Sequence, residues 1–426
     1  MFRRLNRAWS AHLVAAGLAA AASLVVLAPA AALAAEPITI GLGMALTGPL
    51  AGNGKAALLA MQIWVEDVNA KGGLLGRPVK LVFYDDQSSP STVPGIYTKL
   101  LDVDKADLVV GGYATNMLAP AMPVVMQHKM VFIGLLGLAV NSEFKYPNYF
   151  SMTATGGADP KTSITTGFFE LAMAQNPKPK TVAIVAADAE FSRNASDGAR
   201  ANAKAAGLEI VYDKSYPPAT TDFSPIVRAI QATNPDLVLV ASYPLDSVGM
   251  VRAANEIGLK TKLFGGAMVG LQTTSTKTQL GPLLNGIVNY DFWLPVKAMQ
   301  FPGVLDFLKK YQAKAASEGV DPLGYYIPPW AYADLQVLGE AVEGTKSLDQ
   351  AKLGAYMREH TFKTILGDVK FGANGELAQS RVIDIQYQHI KGNAIEQFKE
   401  MSTQVVLWPP ASKSGDIIYP YTDAKN

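Results

Sequence analysis

The chain has 426 residues and carries 37 Lys and Arg against 36 Asp and Glu, a formal net charge of +1 that excludes the basic excess a nucleic-acid or anionic-membrane partner requires. It contains no cysteine, which excludes disulfides, thiolate metal sites, a cysteine nucleophile and a lipid-modified N-terminal cysteine. At 49% hydrophobic composition it can build cores without covalent staples, and its length points to two domains rather than one.

The chain opens on an export signal. Arg3, Arg4 and Arg7 form a positive start, residues 13–27 are an uncharged run rich in Ala, Leu and Val, and Ala32-Leu33-Ala34 follows Pro29 as a small-residue cleavage site. Cleavage after Ala34 is expected, which places the mature protein in the periplasm. An uncleaved anchor is the alternative, since the run is long enough to span a bilayer. No later stretch has that length.

Residues 38–46 read as the first strand. The helix after it places Leu58, Met61, Val65 and Val68 at three- and four-residue steps, and Gly72-Gly73 stops it. Strands are expected at 78–84 and 108–112, and a helix from 116 to 127 leads to a fourth strand at 131–134. After 149–152 a second series begins, with strands at 181–188, 208–212, 237–241 and 262–265. Helices at 192–206, 223–232 and 247–257 separate them. Residues 301–317 and 328–342 look helical. Residues 367–371 and 382–390 are strand-like, and 395–398 are expected to pair back through the turn Lys391-Gly392-Asn393. From Pro409 the chain is expected to lie over the surface. Alternating strands and helices mark an α/β protein with mostly parallel sheets covered on both faces.

Several motifs occur in order along the chain: Thr47-Gly48-Pro49-Leu50-Ala51 with Gly54, then Asp67-Val68-Asn69-Ala70-Lys71-Gly72-Gly73-Leu74-Leu75-Gly76-Arg77-Pro78, then Asp85-Asp86-Gln87-Ser88-Ser89-Pro90. Met250-Val251-Arg252-Ala253-Ala254-Asn255-Glu256-Ile257-Gly258-Leu259 follows in the second series. With these the chain resembles the type I periplasmic binding proteins of ABC importers, in the branched-chain amino-acid (Leu/Ile/Val) branch, over about residues 36 to 400. The resemblance implies two Rossmann-like lobes joined by a three-crossover hinge, with the ligand cleft between them. The implied boundaries are 35–155 plus 293–375 for lobe 1 and 156–292 plus 376–408 for lobe 2, with 409–426 as a C-terminal tail. The implied partners are a small-molecule ligand and the membrane permease, and the protein is expected to be a monomer without cofactor or metal.

Ligands of open α/β sheets bind beyond the carboxyl ends of the strands. Gly111-Gly112-Tyr113-Ala114-Thr115-Asn116 ends the third strand and opens a helix, so Thr115 and the amides beside it can hold a carboxylate. The alternative is that Thr115 only caps that helix. In the next segment, Gly134-Leu135-Leu136-Gly137-Leu138, the resemblance implies a ligand-binding hydroxyl where this chain has Leu138. It also implies an acidic partner for the ligand ammonium where this chain has Ala267. Both departures argue against a zwitterionic α-amino acid, because an unpaired buried ammonium is costly. Asp188, Glu190 and Asp246 remain as alternative acids.

Leu136, Leu138, Phe191, Tyr243 and Met268 are the expected walls, with Tyr325, Tyr326 and Trp330 near the cleft. Asn53 falls where the resemblance implies a Tyr above the ligand. Ordinary packing explains any single aromatic equally well. The joint position of Tyr113, Phe191 and Tyr243 after strand ends favours a pocket for a small carboxylate with an apolar or aromatic body. A hydrophobic amino acid is the second choice, and a ligand-presenting sensory module is another use of the same fold.

An enzyme is not expected. His128, His360 and His389 are far apart and lack metal-ligand spacing, with His360 reading as a solvated face. No nucleophile-elbow, zinc-protease or dinucleotide motif occurs, and Gly52-Asn53-Gly54-Lys55 departs from a phosphate loop at Ala56.

Overall fold

A computed structural model describes residues 36–425, and the expected export signal and its cleavage site lie outside them. β1 (Ile38–Met44) is an interior strand of a parallel sheet with β2 (Val79–Asp85), β3 (Leu108–Tyr113), β4 (Phe132–Leu135) and β5 (Tyr149–Met152), in the order β2-β1-β3-β4-β5. Every residue of β1 is buried, as expected of an interior strand covered on both faces. Helix Ala51–Asn69 lies against this sheet so closely that a Cβ on Gly54 would sit 2.0 Å from the Ala45 carbonyl oxygen.

The second sheet has seven strands in the order β14-β13-β10-β9-β8-β6-β7. Its parallel part is β6 (Thr181–Ala187), β7 (Glu209–Tyr216), β8 (Leu237–Ser242), β9 (Leu263–Met268) and β10 (Val288–Asp291). The small hairpin of β11 (Thr361–Thr364) and β12 (Gly367–Lys370) precedes β13 (Ile383–Tyr387) and β14 (Gln404–Trp408), which join the second sheet antiparallel.

Between β10 and β13 the chain returns to the first sheet, where helices Val304–Glu318 and Pro328–Thr345 pack on Ala51–Asn69. It therefore crosses between the lobes after β5, after β10 and after β12, three crossings that simple strand–helix alternation does not reveal.

Local differences from the sequence reading have physical causes. The helix from 116 to 127 is three pieces: α-helix Thr115–Leu118, a 3-10 turn Ala119–Ala121, and α-helix Met122–Gln127. Pro120 and Pro123 lack the N–H that a continuous ladder needs. Residues 395–398 do not pair back. They form the 3-10 turn Ile395–Lys399, and the strand beside β13 is β14, whose Val405 and Val406 are buried. The segment after Pro409 is pinned, with the Ile418 N–H on Gln386 Oε1 at 2.8 Å and Tyr421 buried edge-on against Phe264 at 5.4 Å.

Two further features bear on function. Asp321, just beyond helix Val304–Glu318, accepts the Thr274 N–H at 2.6 Å and the Thr274 hydroxyl at 2.8 Å. It thereby caps helix Thr274–Leu280, which packs beside the second sheet. The framework also buries several carboxyls. Asp334 and Asp384 have no hydrogen-bond partner for either oxygen among the described residues. Burial drives Asp334 well above the ordinary range and Asp384 up to about 8, with Glu170 adding to the latter. Glu376 is pushed up to about 8 by burial, and Asp291 to about 7 despite the opposing charge of buried Lys277.

Candidate functional site

The segments leaving β1, β3, β4, β5, β6, β8 and β9 converge with β10 on one narrow cavity between the two sheets. Strand order reverses at β1/β3 in the first sheet and at β6/β8 in the second, so the cavity lies over both topological switch points. Leu50, Tyr113, Thr115, Leu136, Leu138 and Thr153 form the first wall, Phe191, Tyr243, Val269 and Tyr290 the second. Ile164 joins them after the first crossing, and Phe292 and Tyr326 line the cavity from the returning chain.

The first wall is built on strain. Ala114 has φ +88° and ψ 148°, a conformation that glycine favours, and this turns the chain out of β3. Thr115 follows, 1% exposed. Its hydroxyl makes no helix cap and instead accepts the Leu138 N–H at 2.9 Å. Among the described residues nothing accepts the hydroxyl proton. Leu138 also ties the lobes together, because its carbonyl accepts from Asn194 Nδ2 of helix Glu190–Ala205 at 3.0 Å.

Of the remaining expected site residues, Tyr113, Leu136, Phe191 and Tyr243 border the cavity. Phe191 and Tyr243 meet edge-on at 6.0 Å, and the Phe191 N–H donates to Tyr243 Oη at 3.2 Å. Asn53, Asn116 and Met268 do not border it. Asn53 reaches it indirectly, its Nδ2 donating to Tyr113 Oη at 2.8 Å. Asn116 lies at an outer opening with Ser88 and Asp246. Met268 is fully buried in β9, its backbone held by Asn289.

Tyr326 lines the cavity, whereas Tyr325 packs on Trp293 and Trp330 lies behind Phe292. The sequence reading passed over Tyr290 and Phe292. The alternation Val288-Asn289-Tyr290-Asp291-Phe292 is a strand signal that points to them.

No residue bordering the cavity carries a charge. Asp188 pairs with Arg193 on the surface at 3.0 Å. Asp246 is held by the Tyr216 hydroxyl at 3.2 Å and the Tyr243 N–H at 3.4 Å. Burial raises the Asp246 and Glu190 carboxyls, and Ala267 is fully buried in β9. The polar groups that do face the cavity are hydroxyls. Burial pushes Tyr113 up to about 12, although the Asn53 contact opposes it, and raises Tyr243, Tyr290 and Tyr326 further. All four stay protonated, as hydrogen-bond donors, at any ordinary pH.

The histidines do not converge. His128 lies 3.5 Å from Asp102, and His360, rather than facing solvent alone, stacks on Tyr356 and meets Glu340 Oε1 at 2.8 Å. Among the described residues no group of His, Asp and Glu could hold a metal ion, and no helix is long and apolar enough to cross a membrane.

The family model described as "Periplasmic binding protein" matches residues 37–387. The chain belongs to this family. It is a binding protein of the branched-chain amino-acid transporter type, not an enzyme. The Leu/Ile/Val-binding protein of Escherichia coli K12 is 25% identical over 347 residues, 80% of this chain and 89% of that one. An amino acid binding protein of Pseudomonas aeruginosa is 25% identical over 346 residues, 80% and 88% of the two chains.

Among solved structures, a solute-binding protein of an R. palustris ABC transporter in complex with 4-hydroxybenzoate superposes with a TM-score of 0.71 at 19% identity, covering 84% of this chain and 94% of that one. The branched-chain amino acid transporter binding protein of Streptococcus pneumoniae in complex with isoleucine gives 0.68 at 19% identity, covering 88% and 100%. At these identities the structural likeness speaks for the fold alone.

Proposed function

We propose that the protein is the periplasmic substrate-binding subunit of an ABC importer and captures a small carboxylate with an apolar or aromatic body. The observation that carries this is the cavity itself: aromatic walls, hydroxyl donors and no charged side chain. A carboxylate is served by the free Thr115 proton. An α-ammonium finds no acid, and burying it unpaired costs several kcal/mol, about 3–5 by comparison with broken buried ion pairs. The R. palustris relative in complex with 4-hydroxybenzoate is consistent with such a ligand.

The lobes are taken as 35–155 plus 293–375 and 156–292 plus 376–408, with 409–426 bound along the second. Ligand reaches the open cleft, meets Thr115 on lobe 1 and draws Phe191 and Tyr243 of lobe 2 over itself. Closure follows from tighter binding to the closed form. The permease then reads the closed face across both lobes.

A hydrophobic amino acid is the second reading, favoured by the isoleucine complex and the Leu/Ile/Val-binding relatives. A thermal-shift screen of residues 35–426 against leucine, valine and phenylalanine, their 2-oxo acids and a series of benzoates separates the two. A ligand at about a thousand times its Kd adds roughly 4 kcal/mol of stability. Shifts with the amine-free acids alone are expected. Shifts with the amino acids alone would replace this reading by the second.

A further inference from the structure

We propose that the hydroxyls of Tyr113, Tyr326 and Tyr290 present a spare hydrogen-bond donor to the cavity. The ligand therefore carries, besides its carboxylate, a second oxygen that accepts it: a hydroxyl, a carbonyl or another carboxylate. This rests on the reading above that a carboxylate occupies the cavity, and it narrows the substrate class.

Asn53 Nδ2 donates to Tyr113 Oη at 2.8 Å, so that contact brings a proton and takes none away. The Tyr290 and Tyr326 hydroxyls are 3.0 Å apart, and only one of them can donate across that gap. Tyr113 borders the same cavity, and with its hydroxyl turned to Tyr326 three protons would still meet only two gaps. At least one proton is left over, whichever way the hydroxyls rotate.

Nothing in the protein takes that proton. Gln272 beside Tyr290 acts on it as a donor, and its Oε1 already accepts the Gly270 N–H at 2.9 Å; no other acceptor bonds these hydroxyls among the described residues. Asp291 adjoins Tyr290 in sequence, but alternation along β10 turns it to the opposite face. The three side chains are 3%, 1% and 5% exposed, so bulk water is not a general outlet, and all three border the cavity. A buried donor left unmet keeps its full desolvation cost. A ligand oxygen at this end removes that cost. A methyl group leaves it in place, and an ammonium adds donors where a donor is already in excess.

The test is calorimetric titration of residues 35–426 with benzoate, 4-methylbenzoate, 3-hydroxybenzoate and 4-hydroxybenzoate. At least one hydroxybenzoate is expected to bind about tenfold or more tightly than both apolar acids. The Phe variants Tyr113→Phe, Tyr290→Phe and Tyr326→Phe are then compared by the ratio of the two affinities, not by affinity alone. General weakening from disturbed packing moves both acids together and leaves the ratio unchanged. At least one variant is expected to reduce the ratio to below about threefold.

Equal binding of hydroxylated and apolar acids would overturn the inference and leave the carboxylate reading standing, as would a ratio that survives in all three variants. Failure of all four acids, and of the 2-oxo acids of leucine, valine and phenylalanine titrated beside them, to bind would remove the carboxylate reading, and this inference with it.

Discussion

The ligand cavity and the framework beneath it bury polar groups in opposite ways. The cavity contains hydroxyls and backbone groups but no charge, whereas the framework buries Asp291, Asp334, Glu376 and Asp384 with little or no compensation. Ligand selection in this molecule is thus separated from its titratable charge. On the proposed reading, recognition works through donors fixed over the whole ordinary pH range, and acidity acts on the stability of the scaffold.

The sharpest way to break this contrast is to put charge where there is none. Leu138→Asp sets a carboxylate beside Thr115, and affinity for benzoates should fall by more than about 100-fold, roughly 3 kcal/mol, measured by calorimetry. Retained affinity would mean that the anion does not sit at this wall.

The converse is to remove charge from the framework. A carboxyl whose folded pKa is raised binds more protons folded than unfolded, so it costs nothing below its unfolded value and costs progressively more as pH rises towards the folded one. For Asp384 that window runs from about 4 to about 8. The melting temperature should therefore fall as pH rises from 5 to 8. Asp384→Asn should recover several kcal/mol at pH 8 and roughly a quarter of that at pH 5. A pH-independent effect would show that Asp384 is not the group titrating.

The smallest change is within the cavity. Thr115→Ala should weaken carboxylate binding by at least about 1 kcal/mol. An unchanged Kd would dismiss the hydroxyl contact.

Much of the fold was legible because burial on both faces writes long apolar runs such as Leu237–Ser242, and because Gly72-Gly73 and Gly258 mark helix ends. What stayed hidden was short or non-local. β10 has four residues with Asn and Asp among them, so Tyr290 and Phe292 went unnoticed. The segment 395–398 has an apolar pattern, but its partner is chosen by tertiary pairing, and Gln404–Trp408 takes the place beside β13.

At the site, position after a strand end was the useful signal for Tyr113, Thr115, Phe191 and Tyr243. It said nothing about which way each side chain turns. Met268 therefore lies within its sheet, and Asn53 stands behind Tyr113 rather than at the cavity. Leu138, expected in place of a hydroxyl, does border the cavity, whereas Ala267, expected in place of an acid, lies buried within β9. The proton count among three tyrosines could not be read from the sequence, because it depends on side chains separated by 36 and more residues.

The capping of helix Thr274–Leu280 by Asp321 and the bond from Asn194 to Leu138 join the lobes without involving an occupant of the cavity. On the proposed closure, both must break each time the cleft opens. They would then slow escape equally for every molecule held inside and set residence time while the cavity walls set preference, two properties open to separate substitutions.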